Sequence, residues 1–188
     1  PHAEILDIAT GTADVSIKAF DHLAPKHVTG IDISDKMLEM GREKVDAAGL
    51  SNKITLKIED VSQMSFPAEK FDAAITSFGI RNFDKLEKSL QEIHRVLKLG
   101  AKFVILEMSE PQPFLIKQGY YLYTKTLIPF AVRTFSNDPN AYRYLTNSMH
   151  AFPQGKELIE ILKKNGFKSL KYRTFFLGVC SLYVVEKE

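Results

Sequence analysis

The sequence predicts an α/β fold, a parallel sheet with helices on both faces, and three observations carry that expectation. Apolar runs of strand length recur at Glu4–Ile8, His27–Ile31, Lys53–Ile58, Phe71–Thr76 and Lys102–Glu107. Helical patterns fall between most of them, and repeated strand–helix alternation builds a parallel sheet with helical crossovers. The first run stops at the small-residue turn Ala9-Thr10-Gly11-Thr12-Ala13. The second runs on to an acid, Asp32, about 20 residues beyond that turn, the spacing of nucleoside-binding α/β units.

Each element has its own signal. After Asp14 the apolar positions Val15, Ile17, Ala19, Phe20 and Leu23 fit a short helix that ends before Pro25. Ser34 is an N-cap for the next helix, with Asp35 in its first turn and Gly49 as its stop. Asp84 and Glu87 form a capping-box-like pair, and Leu86, Leu90, Ile93 and Leu97 make a helical stripe that stops at Gly100. From Pro111 the rhythm breaks. Pro111 to Asn137 has no acid, but carries Lys117, Lys125 and Arg133 among many aromatics. As a helix, this stretch is either core packing or a lid meeting an apolar substrate or membrane surface. Asp138–His150 reads as another short helix. Glu157–Asn165 is an amphipathic helix closed by Gly166, and Lys168–Phe176 with Val179–Glu186 predicts a closing antiparallel hairpin around Gly178.

Composition narrows the function. The chain of 188 residues is long enough for one domain with a full core, and its 45% hydrophobic and 26% charged residues are ordinary for a globular protein. A net charge of +2 gives no ground for nucleic-acid binding. The lone Cys180 excludes a disulfide framework and a cysteine-rich zinc site, and in the apolar stretch Phe175 to Val185 it reads as a buried structural thiol. The histidines are scattered without metal spacing and no serine sits in a nucleophile elbow, so no metal is expected and hydrolases are disfavoured. Without a signal peptide or a transmembrane-length apolar run, a cytoplasmic protein is expected.

The turn is not a dinucleotide fingerprint, because Thr12 and Ala13 follow Gly11 and the G-x-G-x-x-G pattern fails. A nicotinamide or flavin cofactor is therefore disfavoured. Asp7, one turn before Gly11, suits S-adenosylmethionine, whose ammonium group needs a carboxylate or carbonyl nearby; a tight turn in some other α/β protein is the plain alternative. Asp32 can accept both hydroxyls of a ribose. Asp60, after the third strand, can accept from an adenine amino group while the Val61 N–H donates to the ring. Ser77, Arg81 and Asn82 leave the fourth strand where the cofactor methyl would point, with Arg81 as a plain surface charge the alternative.

Several longer stretches resemble the carbon-methyltransferases of menaquinone and ubiquinone biosynthesis. They are Leu6-Asp7-Ile8-Ala9-Thr10-Gly11-Thr12-Ala13-Asp14, Met37 to Arg42, Phe78-Gly79-Ile80-Arg81-Asn82-Phe83, Arg95-Val96-Leu97-Lys98 and Leu106-Glu107-Met108-Ser109-Glu110-Pro111. The likeness continues through Ala141 to Leu145 and Ala151-Phe152-Pro153, nearly the whole chain. The first stretch marks class I methyltransferases broadly; the Phe-Gly-Ile-Arg-Asn and Glu-Met-Ser-Glu-Pro segments are narrower. The resemblance implies one class I S-adenosylmethionine-dependent methyltransferase domain over 1–188, Rossmann-like and seven-stranded, with its last strand antiparallel and a helical cap over about 111–150. It implies cofactor contacts at Thr12, Asp32, Asp60, Val61 and Ser77, which join Asp7, Gly11 and Ile33 in the expected binding set. The chain departs from the family pattern at Ala9-Thr10 and Ala13, where many members have glycine, and at Leu99-Gly100-Ala101, where Pro-Gly-Gly is usual. Family members carry a helical region before strand one. Either such a leader lies outside this sequence, or the pocket here is partly uncovered.

The acceptor implied by the overall resemblance is a prenylated naphthoquinol, a demethylmenaquinol, with a benzoquinol precursor of ubiquinone as the alternative. Ionising its ring hydroxyl makes the adjacent unsubstituted carbon nucleophilic, so catalysis needs alignment and a group favouring the phenolate. Arg81 is the candidate oxyanion partner, with Asn82 orienting it. Asp14 is either a base or a holder of the methionine ammonium, and His150 and Tyr142 are further candidates from the acceptor side. The expected partners are the quinol, the inner membrane face and, for self-association, a homodimer. Two rivals stay open: an oxygen- or nitrogen-methyltransferase of a small polar metabolite, and a non-enzymatic module that kept the fold.

Overall fold

The computed structural model describes residues 2–111, 118 and 148–188. The expected cap helix (apart from Pro111 and Gln118), Tyr142 and most of the expected helix Asp138–His150 lie outside the described residues.

Seven strands form the sheet: β1 (Glu4–Ile8), β2 (His27–Asp32), β3 (Ile54–Ile58), β4 (Phe71–Ser77), β5 (Leu97–Met108), β6 (Phe167–Phe175) and β7 (Cys180–Lys187). Their order is β3-β2-β1-β4-β5-β7-β6. The first five pair in parallel, while β7 runs antiparallel between β5 and β6. The expected hairpin thus closes the sheet, with its second strand inserted beside β5. Four helices described from end to end flank it: α1 (Asp14–Leu23), α2 (Asp35–Ala47), α3 (Leu86–Val96) and α4 (Lys156–Lys164); residues 148–151 are helical too.

Side chains alternate between the two faces of each strand, which gives two cores. On one face Leu6, Ile8, Ile31, Phe103 and Ile105 pack with Leu90 and Ile93 of α3 and Leu158 and Leu162 of α4. On the other, Ile5 and Val28 pack with Ala13 and with Val45 of α2. Asp7 shares the face of Ile5 and points under α1, where Ser16 meets it.

Ser34 caps α2 as expected, its hydroxyl accepting from Met37 N at 3.4 Å. Two local expectations fail around α3. No side chain caps it, so the Asp84–Glu87 box does not form. The helix also ends at Val96, not near Gly100: Leu97 is already a strand residue paired with Phe71, and the register resumes at Ala73 with Lys102. Residues 98–101 bulge between those pairs, with Gly100 at φ 73°. Leu97 is fully buried either way, so an apolar stripe could not separate a last helical turn from a first strand residue.

Candidate active site

All the loops expected to carry chemistry leave the carboxyl ends of the parallel strands, where open sheets bind ligands. The turn after β1 is built on left-handed backbone at Ala9, Gly11 and Ala13, φ 55°, 56° and 63°. Two of these are alanines, so the departures from glycine fall where glycine would fit without strain. The turn curls the Gly11 N–H onto Asp32 Oδ2 at 2.9 Å, while Ser34 N donates to Asp32 Oδ1 at 2.9 Å. One backbone donor on each oxygen fixes the carboxylate and leaves further lone pairs for a ligand.

A cleft of about 260 Å³ opens beside that carboxylate. Its wall brings together Asp32, Ile33, Asp60, Val61 and Asn82 of the expected set. Asp60 Oδ1 accepts from Ser62 N at 2.7 Å, the main reason its carboxyl lies below the usual range. The volume falls just below the roughly 300–1,000 Å³ of small-molecule pockets, a size for a nucleoside more than for a whole cofactor. Sequence reasoning missed Glu59, Gly79, Phe83 and Ser89 in the same wall. Of these, Gly79 and Phe83 carried a signal, as part of the stretch Phe78-Gly79-Ile80-Arg81-Asn82-Phe83.

The remaining expected residues stand away from the cleft wall. Asp7, 1% exposed, lies beneath the β1 turn, where Thr10 Oγ1 and Ser16 Oγ donate to it at 2.7 and 2.6 Å. Burial pushes its pKa up to about 6. Thr12 and Asp14 meet on the α2 side: the Thr12 hydroxyl donates to Asp14 at 2.6 Å, and Lys44 Nζ reaches both, at 2.8 and 2.7 Å. Lys44 first, and Thr12 second, hold the Asp14 carboxyl below its ordinary value, which weakens it as a base. Ser77 ends β4 opposite Leu106.

Arg81 sits in a 3-10 turn, Ile80–Asn82, and its partner was not foreseen. Its Nη1 donates to Glu107 Oε1 at 2.6 Å and to Phe78 O at 2.5 Å, with side-chain exposures of 10% for Arg81 and 2% for Glu107. Glu107 also accepts from Arg81 N and from Met108 N, at 3.3 and 2.8 Å. Arg81 is therefore not a solvated surface charge. His150 pairs with Glu110 at the point where the chain leaves β5 for the segment outside the described residues. Cys180 is partly buried, and desolvation raises its pKa, as suits a structural thiol.

Two features test whether a nucleoside-bearing cofactor fits. A Cβ on Gly79 would lie 2.4 Å from Ala9 Cβ, so the backbones of the β1 and β4 loops approach as only glycine allows. Ser89 Oγ, buried in the cleft wall, has no hydrogen-bond partner among the described residues. With two fixed carboxylates and an unsatisfied hydroxyl, the cleft suits a polar, ribose-containing ligand.

The parallel sheet closed by one antiparallel strand, with an acid at the end of β2 beside a tight β1 turn, is the fold of class I S-adenosylmethionine-dependent methyltransferases. More narrowly, the chain belongs to the ubiE/COQ5 methyltransferase family, whose model matches residues 1–187. It is 43% identical over 184 residues to the demethylmenaquinone methyltransferase of Bacteroides fragilis, covering 98% of this chain and 75% of that one. The demethylmenaquinone methyltransferase of Porphyromonas gingivalis is 40% identical over 185 residues, with 98% and 75% covered. The ubiquinone/menaquinone biosynthesis C-methyltransferase UbiE of Cereibacter sphaeroides is 33% identical over 184 residues, with 97% and 73% covered. Among solved structures, a SAM-dependent methyltransferase from Aquifex aeolicus superposes with a TM-score of 0.71 at 16% identity, covering 99% of this chain and 82% of that one. The (4+2)-cyclase SpnF reaches 0.75 at 15% identity, with 99% and 74% covered. A cyclase on the same fold means that shape alone does not assign methyl transfer. The family match assigns it.

Proposed function

We propose that this enzyme methylates the unsubstituted ring carbon of a prenylated demethylmenaquinol, giving menaquinol. The carrying observation is the identity of 43% and 40%, over nearly the whole chain, to two relatives that bear the name demethylmenaquinone methyltransferase. A benzoquinol precursor of ubiquinone is the second reading, favoured by the 33% identity to UbiE, whose name covers both quinones.

S-adenosylmethionine supplies an electrophilic methyl group on a sulfonium centre. The chain's own residues bind and align. Asp32 holds the ribose hydroxyls with the lone pairs that Gly11 N and Ser34 N leave open. Asp60 and the Val61 N–H meet the adenine edge, and Ile33 covers its face. Thr12 and Ser77 contact the methionine side, while Asp7 and Asp14 supply negative charge toward its ammonium. Arg81 and Asn82, on the turn after β4, steady the negative charge that develops on the acceptor oxygen.

Turnover of both quinol types by the purified full-length chain tests the assignment; faster methylation of the benzoquinol would overturn the naphthoquinol reading. Asp32→Ala removes two charge-assisted hydrogen bonds, each worth about 1.5–3 kcal/mol. Calorimetry should find cofactor affinity at least about tenfold weaker. Unchanged affinity would remove Asp32 from the site.

A further inference from the structure

The turn between β6 and β7 holds Phe176 and Leu177 in solvent, 82% and 72% exposed. Both have left-handed backbone, φ 50° and 59°, ahead of Gly178 at φ 99°. A connection that only had to reverse the chain would place glycine or asparagine at such positions. Here two large apolar side chains occupy them, and the turn is braced from below. Ser109 N and Oγ donate to Val179 O and Gly178 O, each at 2.8 Å, and Ser181 Oγ donates to Ser109 Oγ at 2.8 Å.

Position gives the turn a direction. Phe175 pairs with Cys180, and Cys180 with Met108 at the carboxyl end of β5, so the tip stands on the edge of the sheet that carries the cleft. Charge gives it a partner. Residues 161–185 hold five lysines and arginines and no acid. Two of these cations, Lys171 and Arg173, are exposed on the edge strand β6 just before the tip, with the Arg173 guanidinium 5.1 Å from the Phe175 ring centre.

We infer that Phe176 and Leu177 form a wedge that enters an anionic lipid surface, with Lys171 and Arg173 on the headgroups. Apolar tips beside cations bind this way, through buried apolar area plus attraction to anionic lipid. The wedge deepens the reading of a prenylated acceptor, since it turns the cleft edge toward the phase where such a tail dissolves. It rests on that reading only for its purpose.

The chain contains no tryptophan, so a single introduced one reports its own surroundings. Phe176→Trp and Leu177→Trp are compared with Leu99→Trp, whose site is 73% exposed near the start of β5, at the opposite end of that strand from the tip. Vesicles of phosphatidylglycerol with phosphatidylcholine should blue-shift the emission at 176 and 177, and brominated acyl chains should quench it, with no response at 99. Lys171→Glu with Arg173→Glu should weaken vesicle binding at least about tenfold at low salt. An emission at 176 that is already blue without lipid means that this chain or a second copy covers the tip, and overturns the wedge. So does an exposed emission that vesicles leave unmoved, or an equal response at 99. The vesicles carry neither cofactor nor quinol, so failure here is distinct from failure of methyl transfer, which is assayed with detergent-dispersed acceptor.

Discussion

Arg81 and Glu107 face each other almost out of water, and under the proposed function the pair would have two jobs, catalytic and structural, that mutation can separate. A guanidinium keeps its proton, so Arg81 serves no base chemistry; it can hold negative charge that grows in the transition state. Its Nη1 is already committed to Glu107 and Phe78 O, while Nε is buried without a partner among the described residues. Arg81→Ala should lower kcat by about 10²–10³, by analogy with loss of one oxyanion donor, with cofactor affinity near wild type. The same change strands a carboxylate that is 2% exposed, at a cost to stability of about 3–5 kcal/mol. Arg81→Met combined with Glu107→Gln removes both charges and should return most of that stability in urea unfolding, while turnover stays low. A double variant with near-normal kcat would reduce the pair to a strut for the Ile80–Asn82 turn.

At the scale of elements, the cleft depends on how closely the β1 and β4 loops approach. Gly79→Ala would drive a Cβ to 2.4 Å from Ala9 Cβ, on a loop where Ala9 already holds φ 55°. It should cost about 1–3 kcal/mol of stability and weaken cofactor binding at least about tenfold, as the loops part. Adding Ala9→Gly removes the opposing carbon and should restore both; failure to restore binding would place the damage elsewhere. Much of this architecture was legible beforehand, because strand runs, helix stops and the acid spacing are local patterns. That Asp32 and Asp60 would sit at the carboxyl ends of β2 and β3 could be read in advance, since the strand ends set their positions. Glu107 could not: it is an acid within an apolar strand, and its partner lies 26 residues away in sequence, joined only by the β4–β5 pairing. The start of β5 was misread for a related reason, since Leu97 satisfies both the helical stripe and the strand. Asp7 was placed correctly as an acid near the turn, but its depth depends on α1 folding over it.

Across the whole molecule, that depth makes Asp7 a term in the pH dependence of stability. Its folded pKa of about 6 stands above the ordinary carboxylate value of 3.8, mainly through desolvation. The folded state therefore binds more protons than the unfolded one between those values. Stability contributed by Asp7 falls as pH rises from about 4 to 6 and stays lower above, by roughly 3 kcal/mol for a shift of this size. Asp60, Asp72 and Glu92 run the other way: their pKa values are lowered, so their stabilisation is present above the unfolded values and lost as acid protonates them. Asp7→Asn should keep an acceptor for Thr10 and Ser16 and discard the buried charge. It should raise stability at pH 7 while leaving it nearly unchanged at pH 4, as read by urea unfolding at each pH. Under the proposed function, the charge is retained for the cofactor's ammonium group, and a bound cation would draw the Asp7 proton off. Wild-type cofactor affinity should then weaken as pH falls below about 6, whereas Asp7→Asn should bind more weakly at pH 7 and lose most of that dependence. A variant that is more stable but keeps the wild-type affinity profile would make Asp7 a purely structural acid and leave the ammonium to Asp14.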